Sequence, residues 1–497
     1  MTEFKEIKSK INYRNIKSSY ILKNIFLFLS GKQLLNVMKY NKELQNLFLI
    51  DIEDYKSKSG KYKIGDKNGK GKEYIIEADF LIFEGEYLNG KRNGKGKEYY
   101  ENGELLFEGE YLNGKRWNGI GYNINGIKDF EIKKGKGNIK EYDMFDGKLL
   151  FEGEYLYGER NGKGKEYDND GRLEYEGEYL DGQRNGKSKE YYFKGQLKFE
   201  GEYYKGKKWN GIGYNINGNK EFEIKDGIGN IKEYGYFNGN LFFEGEYLFG
   251  DITGKGKEYH YNEGNLIYEG EYLNGKRNGK GKDYYSNGEI LFEGEYINGK
   301  KWNGNGYNIN GTKVFEITNG KGNIKEYDIF NGKLNFEGEC LHGEINGKGK
   351  EYNNEGELVF EGEYLNGKRY GKGKEYYFNG VLKFEGEYLH GKRNGKGKEY
   401  YFNGELKFEG EYLHGKRNGK GKEYDINDNL LFEGEYLHGE INGKGKEYDI
   451  NDNLLFEGEY LNEDKWNGNE YSINQNIEFD IKDGEGNIKE YVDDENL

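Results

Sequence analysis

Four of the five histidines in this chain, His342, His390, His414 and His438, stand in equivalent places, each immediately before a glycine. Imidazoles are common metal ligands, so a shared zinc is the first chemistry to consider. The chain's period, set out below, puts neighbouring copies at least two β-strands apart, about 9.5 Å, too far to share a metal whose bonds are about 2 Å. Other copies carry Asn89, Asn113 or Asp181 at the same place. Histidine shares with those residues a tolerance of positive φ, so the position is read as turn chemistry. The run Gly182-Gln183-Arg184-Asn185-Gly186-Lys187-Ser188 has the composition of a phosphate loop, but three residues separate its glycines instead of four. The runs from Asp425 and Asp449 begin like calcium loops and lack the central glycine and the closing glutamate. No catalytic, metal or cofactor site is expected.

The cationic loops carry a different chemistry. Lys91-Arg92, Lys115-Arg116, Lys276-Arg277, Lys368-Arg369, Lys392-Arg393 and Lys416-Arg417 follow Asn-Gly or His-Gly pairs at corresponding places. Cations repeating every ~9.5 Å along one edge of a sheet would meet anionic lipid headgroups, each contributing up to about 1 kcal/mol near a charged surface. Glu159, Glu344 and Glu440 interrupt that row. Four tryptophans, Trp117, Trp209, Trp302 and Trp466, each open a Trp-Asn-Gly, and they are read either as docking aromatics or as local packing plugs.

What positions these residues is a repeat. Phe-Glu-Gly-Glu-Tyr, or a close variant, occurs fourteen times from Phe83 to Phe456, mostly 24 residues apart. Such a period means stacked identical units, and a residue repeated in every unit cannot be a unique catalytic group. The unit from Phe83 reads FEGEYLNGKRNGKGKEYYENGELL. Asn102-Gly103 predicts a tight hairpin turn with both residues at positive φ, pairing Tyr100 with Leu105 and Glu98 with Phe107. Asn89-Gly90-Lys91-Arg92 is read as a four-residue loop pairing Tyr87 with Gly94 and Glu84 with Lys97. A two-residue turn there would shear the sheet by two residues per unit. Alternation along the strands then sets rings over bare glycines on one face and lysines between glutamates on the other. The fold class expected is mainly β: an elongated single-layer antiparallel sheet of stacked hairpins, with a small N-terminal α-helical segment. Intervals of 44 residues follow Phe107, Phe199 and Phe292, where each Trp-Asn-Gly unit adds a shorter hairpin.

Composition agrees with an array. Glycine is 81 of 497 residues and proline is absent, while aromatics reach 16%. The formal charge is −14; residues 1–59 carry 11 basic and 6 acidic residues, +5, which leaves −19 for the rest. An array this acidic is a poor nucleic-acid binder. A single cysteine, Cys340, excludes a disulfide framework and points to a reducing, cytoplasmic setting.

The units resemble MORN repeats, whose pattern of aromatic, glycine, aromatic, Asn-Gly-Lys and Gly-x-Gly is here Phe83, Gly85, Tyr87, Asn89-Gly90-Lys91, Gly94 and Gly96. The 24-residue period brings them closer to the variant form. The resemblance spans residues 60–491, about 19 hairpins, and leaves 492–497 as an acidic tail. It implies a non-enzymatic scaffold that presents an extended surface to protein partners, forms a homodimer, or sits at a membrane.

Residues 1–59 differ in kind, with apolar residues at helical spacing. The stretch ILKNIFLFLSGKQLLNVMKYNKELQNLF resembles an F-box, though Ser18-Ser19 stand where a Leu-Pro is usual. That resemblance implies a substrate receptor for a cullin-type ubiquitin ligase, with Leu22, Ile25, Phe26 and Leu29 meeting the adaptor. A helical cap closing the array explains the same residues, and both readings stay open. The alternative function is a peripheral membrane tether that binds anionic lipid through the basic edge.

Overall fold

The computed structural model describes residues 61–488, apart from 66, 76–79 and 473–475. The expected N-terminal helix, its contact group Leu22, Ile25, Phe26 and Leu29, and the acidic tail lie outside the described residues. What is described is mainly β: thirty-eight antiparallel strands, each paired to its sequence neighbour within a sheet, and no helix among the described residues. The chain divides into two units, residues 1–226 and 227–497. The first holds sheets of seven and eight strands, the second sheets of eight and fifteen.

Within a repeat the inner register is the expected one. Glu84 pairs with Lys97 and Gly85 with Gly96, then Lys95 with Glu110, Gly96 with Gly109 and Lys97 with Glu108. Both turns differ from expectation. Leu88 pairs with Lys91 and Tyr87 with Arg92, so Asn89-Gly90 is a two-residue turn, with φ of 53° and 77°. The sheet nevertheless does not shear. A bulge over Asn93–Lys95 absorbs the two-residue offset before the strand meets its next neighbour. Gly94, at φ 95°, makes the bulge, and the Lys95 amide donates to Glu86 Oε2 at 3.0 Å. A Cβ at Gly94 would strike that carboxylate.

At the other end Tyr99, not Tyr100, pairs with Leu105. The Gly103 amide donates to the Tyr100 carbonyl and the Tyr100 amide to Glu104, which closes a three-residue loop. Only Gly103 has positive φ; Asn102 instead accepts the Glu104 amide on its side chain at 2.9 Å. Asparagine serves here through its side chain and not through a left-handed backbone.

The expected single continuous sheet is broken at the short hairpins. In the first unit, strands Lys128–Ile132 and Gly137–Tyr142 share only the bridge between Lys133 and Lys136 and then part into different sheets. Each strand keeps its outer neighbour, because Phe130 stacks on Phe107 at 6.3 Å while Lys140 and Glu141 ladder with Glu152 and Phe151. Ile132 and Ile139 fill the wedge, joining a core with Phe83, Tyr87, Phe107 and Tyr111. The second unit repeats the arrangement with a bridge from Thr318 to Lys321 and a stack of Phe315 on Phe292. In the last copy the hairpin stays laddered, Phe479 opposite Ile488.

Candidate functional site

One sheet face is a sealed layer. Phe83 lies over Gly85 and Gly96, with the edges of Tyr87 and Tyr111 at 5.5 and 5.1 Å. The Arg92 guanidinium covers the ring at 4.0 Å from its centroid. The fork then reaches carboxylates on both sides: Glu73 at 2.7 Å and Glu98 at 3.5 Å. Glu98 in turn accepts both Arg116 Nε and Nη2, each at 2.9 Å, and the Tyr111 hydroxyl at 2.6 Å. Burial alone would favour the neutral Glu98 acid, but Arg116, Arg92 and Tyr111 together hold its pKa down to about 2. The same Tyr–Glu–Arg linkage recurs through Arg160, Arg184, Arg277, Arg369 and Arg393, and Arg417 makes the same ion pair with Glu399. Stacking of a planar guanidinium with bidentate pairing is a geometry lysine does not reproduce.

The arginines therefore do not line the edge with their lysines. Arg92, Arg116, Arg277, Arg369, Arg393 and Arg417 turn beneath it onto the rings, half-buried and paired. Sequence reasoning assigned them to a cationic edge because it put them in a loop. A signal was available: the same position is isoleucine at Ile252, Ile345 and Ile441, each opposite the repeat's Tyr or Cys. A site that accepts arginine and isoleucine alike needs a long stem over a ring.

What stays on the edge is lysine and leucine. Lys91, Lys276, Lys368, Lys392 and Lys416 are exposed, while Lys115 pairs with Glu159 at 2.6 Å. Leu88, Leu112, Leu180, Leu273, Leu365 and Leu413, just before the turns, are also exposed. His342, His390, His414 and His438 occupy the first turn position at φ between 53° and 56°. Among the described residues no cluster could hold a metal ion. The turn amides are met by the neighbouring repeat: Gly114 donates to the Arg92 carbonyl and Asn113 to Asn93 Oδ1. Trp117 and Trp302 lie against Gly135 and Gly320 of the short-hairpin turns, and Trp466 against Gly484. Trp209 packs on Tyr204 at 5.2 Å. Each of these indoles has a local partner.

The opposite face is open. Lys97 pairs with Glu108 at 3.3 Å, and Lys398, Lys422 and Lys446 pair with Glu409, Glu433 and Glu457 at 3.0–3.1 Å. The Tyr99 hydroxyl steadies Glu84 at 2.7 Å, and Tyr376 and Tyr400 do the same for Glu361 and Glu385. In the fifteen-stranded sheet this face lines an open trough, its floor alternating in charge from Lys325–Glu337 to Lys446–Glu457. A smaller trough of the same make lies on the eight-stranded sheet of the first unit, along Lys163, Lys165, Glu176 and Glu178. Exposed pairs of this sort contribute little stability, about 0–1 kcal/mol each, so both charges remain available to a partner.

An array of two-stranded units with a ring–glycine layer beneath and a charged face above defines a hairpin-repeat protein. The MORN repeat family matches at residues 83–104, 151–171, 268–290, 384–405, 408–429 and 432–453, and the MORN repeat variant at 184–205 and 369–390. The chain carries multiple MORN repeats, of both forms, and the MORN repeat is a non-catalytic family. No curated protein matches the chain significantly. Among solved structures the chain is similar to TcdB2-TccC3 without its hypervariable C-terminal region, with 9% identity over 83% of this chain and 29% of that one, at a TM-score of 0.14. A Photorhabdus luminescens Tc holotoxin pore matches with 11% identity over 82% of this chain and 24% of that one, at 0.13. The chain thus spans less than a third of the length of these structures, and at such scores the likeness carries no argument.

Proposed function

We propose that this chain is a non-enzymatic interaction scaffold whose repeat array holds a protein partner along the lysine–glutamate face. The observation that carries this reading is the open trough of the fifteen-stranded sheet, floored by exposed charges of alternating sign. The MORN repeats are consistent with it. Its finer form makes the protein a substrate receptor, with residues 18–48 docking a ubiquitin-ligase adaptor in the cytoplasm and the array presenting the substrate. That part rests on the sequence of the segment. Affinity purification of the full chain beside one lacking residues 1–59 tests both. The array partner is expected with both chains and the adaptor only with the full one, and the adaptor should be lost in Ile25→Ala/Phe26→Ala at unchanged thermal stability. Identical recoveries without an adaptor would sink the receptor role. Failure of either chain to retain any protein would sink the scaffold.

A second reading, a peripheral tether to anionic lipid, is favoured by exposed leucines that face exposed lysines across the same turns within each unit, Leu88 with Lys91 in the first and Leu273, Leu365 and Leu413 with Lys276, Lys368 and Lys416 in the second. Apolar tips beside cations suit a headgroup boundary. The lysines carry it, because the arginines are committed to glutamates. Changing Lys91, Lys276, Lys368, Lys392 and Lys416 together to glutamine is expected to cut binding to phosphatidylserine vesicles by at least tenfold at low salt. Binding that ignores salt, or survives the substitutions, would remove this reading.

A further inference from the structure

The other long edge of the fifteen-stranded sheet is of a different nature. Its three-residue loops place Phe378, Phe402, Ile426 and Ile450 at the same position in four consecutive repeats. These side chains are 69%, 46%, 54% and 67% exposed. Among the preceding repeats that place holds Asn354, Ser286, Asn169 or Glu101 in some and Phe193, Ile124, Ile216 or Ile309 in others, so the turn itself does not demand an apolar residue; what is particular here is the unbroken run of four. Nor does the interior. The neighbouring Tyr377 and Tyr401 are the ones turned inward, their hydroxyls donating to the Tyr400 and Tyr424 carbonyls at 2.9 Å. Phe402 leans on Phe378 and Tyr377, with centroids at 5.1 and 5.3 Å, and forms a ledge. Exposed apolar side chains in a row, rimmed by polar ones, mark an interaction surface.

Charge around the row is graded. Asp425 and Asp449 sit beside Ile426 and Ile450, each fixed by accepting two backbone amides, from Asn427 and Asn429 and from Asn451 and Asn453. Asp428 and Asp452 are exposed at the ends of the same loops. Glu405 is the acid next to Phe402, and no acid lies in the Phe378 loop. The cations on this side are Lys383 and Lys407, which lie over the Tyr377 and Tyr401 rings at 5.7 and 5.5 Å.

We infer that this edge docks an amphipathic helix of a partner protein, basic at the end that meets Ile426 and Ile450. An added strand is excluded because the row runs over closed hairpin turns, which offer no free ladder of amides and carbonyls. Four positions at ~9.5 Å span about 29 Å, the length of about 19 helical residues. Successive heptads rise about 10.5 Å, so one apolar stripe stays over the row for its whole length. The four aspartates select lysine or arginine at one end and reject an anionic surface. The site is distinct from the trough and from the lysine edge.

Fluorescence anisotropy on the full chain tests this with a labelled 20-residue helical peptide, leucine at heptad a and d positions and lysines flanking one half. The peptide is expected to bind the protein at least tenfold tighter than its Lys-to-Glu counterpart. The variant Phe378→Ser/Phe402→Ser/Ile426→Ser/Ile450→Ser, whose changes are all exposed, should melt as the parent does and lose at least tenfold in affinity. Asp428→Asn/Asp452→Asn should narrow the gap between the two peptides. Absence of binding, equal binding of both peptides, or binding indifferent to the serine changes would overturn the assignment. So would retention of the protein on neutral phosphatidylcholine vesicles that the serine variant loses, which would make the row a membrane contact.

Discussion

Gly96→Val is expected to open the strands around it and leave the rest of the array folded. A Cβ at Gly96 would lie 2.5 Å from Phe83 Cζ. That ring has nowhere to go: it is fully buried, capped by Arg92 and flanked by two tyrosine edges. Overpacking a rigid site costs about 1–3 kcal/mol, and the two further methyls of valine place this change at the upper end or above it. Gly103→Ala supplies the contrast. Nothing lies within 4 Å of its Cβ, so only the strain of φ 83° is felt, about 1 kcal/mol. Hydrogen exchange should show protection falling across Leu81–Leu112 while strands from Leu382 onward keep theirs, as expected where each repeat is supported by its neighbours. Phe83→Ala in the same chain should recover part of the loss. Collapse of all protection at once would show that the array does not behave as a sum of neighbouring units.

The second large effect concerns Glu98. Glu98→Ala leaves Arg116 without its two-pronged partner and Arg92 without one of its two, both in a mostly buried layer. Breaking such a pair by removing one member costs about 3–5 kcal/mol. Glu98→Gln keeps an acceptor for Tyr111 and should cost less. The pH dependence gives the sharper test. The Glu98 pKa is about 2 in the folded chain, against about 4.3 for an unfolded glutamate, a difference of about 3 kcal/mol. Because the folded value is depressed, this contribution is complete above the unfolded pKa and is lost as pH falls toward 2. The stability gap between the parent and Glu98→Gln, followed by exchange or denaturant melts of the first sheet, should therefore narrow from pH 5 to pH 2. A gap that stays constant over that range would mean the carboxylate is not held by charge. Glu190, also drawn down to about 2 despite its burial, with Lys208, Lys198 and Arg184 around it, should behave alike.

The sequence revealed the strands and their inner register because the pattern is enforced from both faces. A one-residue slip would put Phe83 among lysines and Glu84 on the glycines, so the pairing of Glu84 with Lys97 could be read directly. Turn geometry was less legible, because the count of 24 residues is met equally by loops of two and four or by loops of three and two with a bulge. The choice depends on Gly94, which looks in the sequence like one more glycine for a ring to cover. The break into separate sheets was hidden for a related reason: the short hairpin has ordinary turn residues, and the parting of Ile132 from Ile139 depends on which neighbour each strand prefers. For the candidate site, the lysine–glutamate face was legible and the fate of the arginines was not. Charge and loop position suggested solvent, whereas the ring four ångströms beneath Arg92 belongs to a residue nine positions earlier.

The bulge at Asn93–Lys95 has a consequence for how such a chain changes over generations. Each hairpin returns its strands to zero offset, so every repeat presents its successor with the same edge it received. Removal of one in-frame unit brings Phe408 into the place of Phe384 with its tyrosine, glycines and arginine in step, and duplication inserts a unit as readily. Slippage during replication of the gene, ruinous to most folds, here alters only the number of seats along the molecule. Length becomes a heritable variable separable from stability, and a partner that reads several repeats at once can be gained or lost in a single copying error.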